Sequence, residues 1–454
     1  MREIEWRSPV DAFAPLAAER GAVFFHPGAH AAMPGWSFIA AFPATRVESR
    51  NGATLIDGGT SSLSPFEVVD ALHRARRSDA LREAAPPFAT GLAGFIGYEC
   101  GAAIEPSVRL PASPYDLPDF SIGAYDACAA FDNARGRAFI CFQSRSAADR
   151  LEAALGAGGA ALNAAQDAFE PPLALTPADQ YRHSVAEAME RIRAGEFFQA
   201  NLSQRFIIRA RAPFDAFSLF AAASASSSAP FGAFLPQEGA QILSLSPERF
   251  FAVKKQADES LSIVAEPIKG TRPRGRTPDA DRRLLQELMN DPKDRAENVM
   301  IADLTRNDLS RICLNHSIAE EAVCEPVSHE NVHHLVSRIS GVLRPELTAA
   351  DALMTLFPCG SITGAPKVQA MKAIAEIEGA GRGPYCGAIG YIDDRGGADF
   401  SVAIRIAIAE REKLTVPAGG GVTLRSDPDT EYRETLAKAH AWTRIVNDRD
   451  LAVA

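Results

Sequence analysis

The sequence contains no uncharged apolar run of roughly 18 residues, the length that a membrane-spanning helix requires. Its first six residues, Met1-Arg2-Glu3-Ile4-Glu5-Trp6, lack the cationic and then apolar order of a signal peptide. Basic residues are in the minority, since 47 of them against 57 acidic residues give a net charge of −10. That balance argues against broad binding of nucleic acid or anionic membranes, although a local basic patch could still bind a small anion. We therefore expect a cytoplasmic protein that binds neither nucleic acid nor a membrane.

Cysteine is scarce and scattered, because there are seven and no two of them stand two residues apart as a metal-binding pair. This spacing gives neither a zinc site nor a disulfide framework, and free cysteines are usually small buried residues. His333 and His334 are adjacent rather than four residues apart, so they make a poor pair of metal ligands. We expect the cysteines to lie in the core.

What is present is the composition of an ordinary globular protein, with 46% apolar and 23% charged residues among 454. Short apolar runs between Gly and Pro indicate a strand-rich region over 1–142. A connection with one surface helix follows over 143–175, and a mixed region extends over 176–447. Strands, among them Ser401–Ile408, do not alternate regularly with helices there. We predict an α+β fold of mostly antiparallel sheets packed as a sandwich, with helices outside.

A predicted helix after Asp291-Pro292, a cap and first-turn pattern, carries Glu297 on an apolar stripe. A buried carboxylate is costly unless a cation compensates it. The side chain therefore either pairs with an arginine such as Arg306, lies at the exposed edge of the stripe, or binds a metal ion.

The last predicted helix starts at Asp427-Pro428 and places Glu431, Glu434 and Lys438 on one partly apolar face. Glu434 and Lys438 could form an exposed pair four residues apart. Alternatively, glutamates of this helix and of the preceding one meet at a hydrated Mg²⁺, which prefers a few hard oxygen ligands. The spacing alone leaves both interpretations open.

The segment Gly360–Lys367 is similar to a phosphate-binding loop, but Val368 stands where that loop needs Ser or Thr, so an NTPase is not expected. Backbone amides before Pro366 and the hydroxyl of Thr363 could instead receive an anion such as a carboxylate.

Three further features admit two interpretations each. The triple glycine Gly419–Gly421 permits close backbone approach or forms a tight turn. Arg405 stands among apolar neighbours, where an arginine needs an anionic partner that is either internal or bound. The cation-rich segment Glu266–Arg274 is either a solvated loop or the site of a nucleophilic amine at Lys269.

Taken together, these segments resemble the chorismate-utilising enzymes, strongly over about Thr176–Ile445. The resemblance is carried by Gly195–Arg205, Ser246–Phe250, Pro267–Thr271, Asp303–Leu309, Gly360–Lys367 and Ser426–Pro428. The N-terminal region matches more weakly through Ser37-Phe38-Ile39 and Gly94–Tyr98, where the related anthranilate synthases bind tryptophan. The resemblance implies the chorismate-binding fold over 176–447, and it raises the hypothesis of a tryptophan site in the N-terminal region.

The resemblance also implies roles for single residues. Mg²⁺ would be held by Glu297 and Glu434, with Glu431 nearby through water. Glu248 would be the general acid that protonates the departing C4 hydroxyl of chorismate. The implied substrate-binding residues are Gln199, Thr271, His334, Thr363, Gly364, Tyr385, Arg405, Gly420, Gly421 and Lys438.

Lys269 decides which reaction the resemblance implies. The branch of the family that aminates chorismate at C4 resembles this sequence in having lysine at this position, whereas anthranilate synthases usually carry alanine. The implied route is covalent: Lys269 attacks C2 as the hydroxyl leaves, ammonia attacks C4, and the lysine is expelled. Isochorismate and salicylate synthases resemble this strand but carry a water-activating lysine at the position of Gln199. Glutamine has no basic nitrogen with which to activate water, so Gln199 supports amination. The expected product is 4-amino-4-deoxychorismate, for 4-aminobenzoate and folate.

Two alternatives remain. The chain could be an anthranilate synthase large subunit in which Lys269 is an exception, or a non-catalytic regulator that binds chorismate or an amino acid. No cysteine lies in the Gly-x-Cys-x-Gly-x-Gln motif of a glutaminase. We therefore expect a separate glutamine amidotransferase subunit to supply the ammonia.

Overall fold

Two antiparallel sheets of twelve strands each carry the core of the molecule. A computed structural model describes residues 1–31, 35–78, 85–158, 169–330 and 332–446. The strands, in chain order, are β1 (Arg2–Ile4), β2 (Val23–Phe25), β3 (Trp36–Ala40), β4 (Thr45–Arg50), β5 (Ala53–Ile56), β6 (Gly59–Ser61), β7 (Gly91–Ile96), β8 (Phe120–Tyr125), β9 (Ala127–Asp132), β10 (Arg137–Phe142), β11 (Leu173–Ala174), β12 (Gln199–Arg209), β13 (Phe231–Pro236), β14 (Ala240–Ser246), β15 (Arg249–Lys255), β16 (Leu261–Ala265), β17 (Ile268–Pro273), β18 (Ala319–Ser328), β19 (Val332–Val342), β20 (Gly364–Ala365), β21 (Ala388–Asp393), β22 (Ala398–Val402), β23 (Ile406–Glu410) and β24 (Lys413–Val422).

The helices pack against these sheets, and several begin at a residue whose side chain accepts hydrogen bonds from the first turn, as Asp215 and Thr348 do. In the described ranges they are α1 (Pro9–Phe13), α2 (Pro65–Arg76), α3 (Gly101–Ile104), α4 (Arg145–Gly156), α5 (Ala178–Arg193), α6 (Ala216–Ala225), α7 (Pro278–Asn290), α8 (Pro292–Ser310), α9 (Ala349–Leu356), α10 (Lys367–Glu378) and α11 (Pro428–Val446). None of these helices is long and apolar enough to cross a membrane.

Each sheet combines strands from both ends of the chain. The first sheet has the order β1-β10-β9-β3-β2-β13-β14-β23-β24-β12-β11, with β20 beside β12. The second has the order β17-β19-β16-β15-β22-β21-β7-β8-β4-β5-β6, with β18 beside β19. Strands of 1–142 and of the later chain meet where β2 pairs with β13 and β7 pairs with β21. The region boundaries at 142 and 176 stay a prediction.

Three clusters of buried apolar residues hold the layers together. The largest contains side chains of both sheets, for example Phe95 and Ile408. A second covers the first sheet with α4, α6 and α11, where Trp442 is buried. The third joins α5 and α10 to β12. The predicted α+β fold with antiparallel sheets is confirmed, and all seven cysteines are free, with six of them buried.

The prediction of one strand over Ser401–Ile408 is wrong, because the segment belongs to two sheets. Its first residues lie in β22 of the second sheet, and Ile406 begins β23 of the first sheet. The chain crosses between the sheets at Arg405, whose φ of 50° is outside the range of a strand. Apolar residues lie on both sides of this crossing, so periodicity alone could not reveal it.

Candidate active site

The helix start at Asp291-Pro292 orients the first predicted carboxylate. Asp291 accepts hydrogen bonds from the N–H groups of Lys293 (2.8 Å) and Asp294 (3.0 Å), which begins α8. One turn after Lys293, Glu297 turns inward with 14% of its side chain exposed. Its Oε1 lies 3.9 Å from Nζ of Lys293. The predicted alternative of a pair with Arg306 is wrong, because Arg306 instead contacts Asp303 and Glu320.

Helix α11 supplies the other two carboxylates. Glu431 has only 1% of its side chain exposed, accepts a hydrogen bond from Ser426 Oγ (2.7 Å) and lies 3.3 Å from Nζ of Lys293. Glu434 is half-buried and pairs with Lys438 at 2.6 Å, and Lys438 also donates to the carbonyl of Gly419 at 2.8 Å. The helix faces predicted from spacing therefore converge, with Lys293 between Glu297 and Glu431.

The triple glycine lies in β24 and not in a turn. Gly421, Gly420 and Gly419 pair with Asn201, Leu202 and Ser203 of β12. A Cβ at Gly420 would stand 2.8 Å from Glu431 Oε2 and 3.4 Å from Glu434 Oε1. A Cβ at Gly421 would stand 2.4 Å from Gln199 Nε2 and 3.4 Å from Lys269 Nζ. Glycine at these two positions leaves space for functional groups rather than bending the chain.

Burial and neighbouring charge act differently on the three carboxylates. Burial raises the pKa of Glu297 and of Glu431, and Lys293 partly opposes both effects. Burial also acts on Glu434, but the Lys438 ammonium outweighs it and holds the pKa of Glu434 below its ordinary value. The cluster therefore needs positive charge when all three groups are ionised.

The donor set suits a hydrated hard cation. Glu297 Oε1 and Glu431 Oε2 are buried and have no hydrogen-bond partner among the described residues. No group of three or more His, Cys, Asp or Glu side chains in the described ranges is already arranged around a metal position. Mg²⁺ needs only one or two carboxylates from a protein because it keeps several waters, so the residues present fit it.

Lys269 and Glu248 meet at one residue, Ser361, which the sequence analysis did not select. Nζ of Lys269 donates to the carbonyl of Ser361 at 2.9 Å, and Oγ of Ser361 donates to Glu248 Oε1 at 2.6 Å. Glu248 is 4% exposed, and its burial raises the pKa of its carboxyl. Ser361 lies inside the segment Gly360–Lys367, which was predicted to bind an anion with the help of Thr363. Its position in that segment is the sequence signal that could have identified it.

Two arginines of the cation-rich segment Glu266–Arg274 form ion pairs with aspartates. Arg272 pairs with Asp291 at 2.8 Å and with Asp294 at 3.0 Å. Arg274 pairs with Asp281 at 2.8 Å. Lys269 itself lies in strand β17, where its charge acts on Glu248, Glu297 and Glu434. The arginines of this segment are thus paired with aspartates, while the charge of Lys269 acts on buried glutamates.

Gln199 borders the same space. It is fully buried, and both atoms of its amide lack a hydrogen-bond partner among the described residues. Gly364 of β20 lies directly against it, since a Cβ there would stand 2.1 Å from the Gln199 carbonyl oxygen. Thr363 is buried, and its Oγ1 donates to the carbonyl of Cys359 at 2.8 Å. An amide with free donor and acceptor atoms suits a polar ligand.

Thr271, His334 and Arg405 lie at another edge of the candidate site. Thr271 Oγ1 and His334 Nδ1 are 2.9 Å apart. Burial, with a contribution from Arg405, lowers the pKa of His334 to about 3, so the ring is neutral at physiological pH. Burial lowers the pKa of Arg405, and Glu248 opposes this. No carboxylate in the described ranges lies within ion-pair distance of Arg405. Of the two anionic partners considered for it, internal or bound, this favours a bound anion.

Tyr385 is the predicted residue that the described contacts do not connect to this cluster. It is buried, and its N–H donates to the carbonyl of Arg382 at 3.3 Å. Burial raises the pKa of its hydroxyl well above the ordinary value, and the nearby charges are those of Arg382 and Glu378. Its role toward a substrate stays a prediction.

The geometry thus has two halves that meet at Gly420 and Gly421. One half is a carboxylate cluster with Lys293 and Lys438, able to hold a cation. The other half joins an amine, Lys269, to a buried carboxyl, Glu248, with an unsatisfied amide beside them. An amine next to a proton donor can replace a poor leaving group by nucleophilic attack.

Comparison with known proteins gives consistent matches. The family model described as chorismate binding enzyme matches residues 27–444. Aminodeoxychorismate synthase component 1 of Klebsiella aerogenes is 37% identical over 438 residues, which cover 94% of each chain. Anthranilate synthase component 1 1 of Haloarcula marismortui is 34% identical, over 91% of this chain and 85% of its own. The crystal structure of anthranilate synthase component I from Streptococcus pneumoniae TIGR4 superposes with a TM-score of 0.78 at 28% identity, covering 91% of this chain and 93% of that one.

Proposed function

The chain belongs to the family of chorismate-binding enzymes, and from this premise we propose that it aminates chorismate at C4 with ammonia to give 4-amino-4-deoxychorismate. The observation that carries the proposal is the link of Lys269 to Glu248 through Ser361. This arrangement offers both a nucleophile and a proton donor. Relatives from Klebsiella aerogenes and Salmonella typhimurium named aminodeoxychorismate synthase component 1 support the same choice, the latter at 39% identity over 78% of this chain and 76% of its own.

The reaction proceeds in two displacements. Nζ of Lys269, as the free amine, bonds to C2 while both ring double bonds shift and the C4 hydroxyl leaves as water with a proton from Glu248. Ammonia then bonds to C4, both double bonds shift back, and Lys269 leaves C2 as an amine. The new C4 ammonium gives one proton to Glu248, which restores the carboxyl. Chorismate and ammonia thereby become 4-amino-4-deoxychorismate and water. The raised pKa of Glu248, which burial causes, favours the protonated form that the first displacement needs.

The two carboxylates of chorismate need cationic partners. Arg405, which has no described carboxylate at ion-pair distance, would take one of them. Thr363, Gly364, Gln199, Thr271, His334, Tyr385 and Lys438 would orient the rest of the substrate together with the glycines of β24. Glu297 and Glu434, with Glu431 beside them, would hold Mg²⁺, which when bound supplies positive charge to the ring carboxylate.

Ammonia would come from a partner. The sequence has no glutaminase motif around a cysteine, and the relatives are named as component 1 of a synthase. We expect a separate glutamine amidotransferase subunit. Glutamine with this chain alone should then give no aminated product, whereas an ammonium salt should.

A tryptophan site near Ser37 remains part of the proposal. Ser37 is fully buried, and its hydroxyl lies 2.8 Å from His26 Nδ1 and 2.9 Å from Asn133 Nδ2. Titration of the chain with tryptophan would test it, and Ser37→Ala would disturb the site without touching Lys269.

The second candidate is anthranilate synthase, because the relative from Haloarcula marismortui with that name is 34% identical over 91% of this chain. The test is to mix the purified chain with chorismate, Mg²⁺ and an ammonium salt at alkaline pH and to resolve products by chromatography with mass detection. An aminated product that retains its pyruvate moiety supports the proposal. Anthranilate and free pyruvate would support the second candidate and make Lys269 incidental.

The covalent step has its own test. With ammonia withheld, chorismate should add mass to Lys269, and Lys269→Ala should lose both this adduct and amination. Lys413→Ala is the matched control, because Lys413 begins β24 and pairs with Glu410, away from the candidate site. Full amination by Lys269→Ala would overturn the covalent route.

A further inference from the structure

Lys293 occupies a position where a helix disfavours a lysine. It is the second residue of α8, and its N–H donates to the capping carboxylate of Asp291. The N-terminal end of a helix carries partial positive charge, so a cation in the first turn is repelled. Some other interaction must therefore retain this ammonium at the start of the helix.

That interaction is with the carboxylate cluster. Nζ of Lys293 lies 3.3 Å from Glu431 Oε1 on α11 and 3.9 Å from Glu297 Oε1 on its own helix. The lysine side chain is 35% exposed, whereas those of Glu431 and Glu297 are 1% and 14% exposed. The ammonium thus reaches from the solvent side to two carboxylates that water hardly contacts. Without a cation, two buried negative charges would face each other.

The same two carboxylates suit a divalent cation. Lys293 and Ser426 contact Glu431 Oε1, whereas Glu431 Oε2 and Glu297 Oε1 lack hydrogen-bond partners among the described residues, so the lysine satisfies this cluster only in part. An ammonium and a divalent cation compete for one set of carboxylates, and lysine has a flexible four-carbon stem that can withdraw toward solvent. Lys438, by contrast, is held by both Glu434 and the carbonyl of Gly419.

We propose that Lys293 is a resident counter-ion that takes the cation position between Glu297 and Glu431 in the metal-free enzyme and withdraws when Mg²⁺ binds. The inference rests on the metal site of the proposed function. It gives Lys293 the role of a positioning residue, since it acts on the carboxylates and not on the substrate. Two measurable consequences follow: the lysine stabilises the metal-free protein, and it weakens the binding of Mg²⁺.

The experiment compares the full-length chain with its Lys293→Met variant in the absence of chorismate. Thermal unfolding is recorded with EDTA and with saturating Mg²⁺, and Mg²⁺ affinity is measured by titration calorimetry. We expect the variant to unfold at a lower temperature than the wild type in EDTA and the difference to close in Mg²⁺. We expect its Mg²⁺ affinity to rise about tenfold, within the 10–100-fold range that neighbours of metal ligands control.

Two further variants separate this role from a general effect of charge. Lys293→Arg keeps the charge and should retain the wild-type stability in EDTA. Arg295→Met removes one cation from the exposed side of the same helix, where the Arg295 guanidinium donates to the carbonyl of Met289 at 3.3 Å, and should leave Mg²⁺ affinity unchanged. Lys293→Gln, which keeps a donor for Glu431, serves if the methionine variant does not fold.

Several results would overturn the proposal. They are an unchanged or weaker Mg²⁺ affinity in Lys293→Met, an equal stability difference with EDTA and with Mg²⁺, or an equal gain of affinity in Arg295→Met. Absence of Mg²⁺ binding in both the wild type and the variant would also overturn it. Because no chorismate is used, an anthranilate product in the activity assay would refute the proposed reaction and leave this result intact.

Discussion

Alanine at Gly420 or at Gly421 should damage different halves of the site. A Cβ at Gly420 would lie 2.8 Å from Glu431 Oε2, about 0.6 Å short of the 3.4 Å at which ordinary contact begins. The backbone of β24 cannot yield easily, because Gly420 pairs with Leu202 within the long antiparallel ladder of β24 and β12. The Glu431 carboxylate must therefore move.

The size of each effect follows from these distances. Glu431 is expected to act on Mg²⁺ through water, and changes to such neighbours of the metal ligands cost about 10–100-fold in affinity, so its displacement by about 0.6 Å should weaken Mg²⁺ binding to that extent. At Gly421 the Cβ would lie 2.4 Å from Gln199 Nε2, so the Gln199 amide must move by about 1.0 Å. Lys269 Nζ, at 3.4 Å from the same Cβ, would be at ordinary contact distance and need not move. A misplacement of about 1 Å can cost about 100-fold in rate, so Gly421→Ala should slow the Lys269 adduct and keep Mg²⁺ binding.

Two assays measure these effects separately: calorimetric titration with Mg²⁺, and the rate of mass addition from chorismate with ammonia withheld. Gly59→Ala is the control, because Gly59 is also a strand glycine and a Cβ there meets only the Ile56 carbonyl, at 3.4 Å. Wild-type Mg²⁺ affinity in Gly420→Ala would refute the reasoning. Equal loss of both properties in both variants would also refute it, since the two halves would then not be separable.

Three further predictions concern neighbouring residues. Ser361→Ala removes the 2.6 Å hydrogen bond to Glu248 and should slow formation of the Lys269 adduct about tenfold, with partial recovery in Ser361→Thr; an unchanged rate would contradict the role of Ser361. Burial raises the pKa of Glu248 above 4.5, so the unfolded chain ionises first as pH rises and the folded protein loses stability. The stability of Glu248→Gln in urea should therefore gain on that of the wild type as the pH rises above the ordinary pKa of a glutamate, and a constant difference would be inconsistent with this. Trp442→Ala should lower the free energy of unfolding by about 3–5 kcal/mol, because the ring is 1% exposed and its Nε1 donates to the Arg405 carbonyl at 2.8 Å; Trp442→Phe should lose clearly less.

Local sequence patterns predicted the starts of two helices correctly. Both Asp-Pro pairs begin helices where expected, α8 at Pro292 and α11 at Pro428, since capping depends on residues that are adjacent in the chain. The same reasoning identified the helix faces of Glu297, Glu431 and Glu434, because three- and four-residue spacing follows from the helical repeat. It failed at Arg405, where two strands of different sheets follow one another with the composition of a single strand.

Ordered motifs in the sequence were enough to predict the family and the α+β class, and they selected many of the residues that the structure brings together, but not Ser361 or Lys293. The distances between those residues arise from contacts between distant parts of the chain, which no local period encodes. Ser361 meets Lys269 across 92 positions, and Lys293 meets Glu431 across 138. The same distant contacts pair Arg272 and Arg274 with aspartates and leave carboxylates around Lys269. Composition reports which charges exist, but their partners depend on how β17, α8 and α11 pack together.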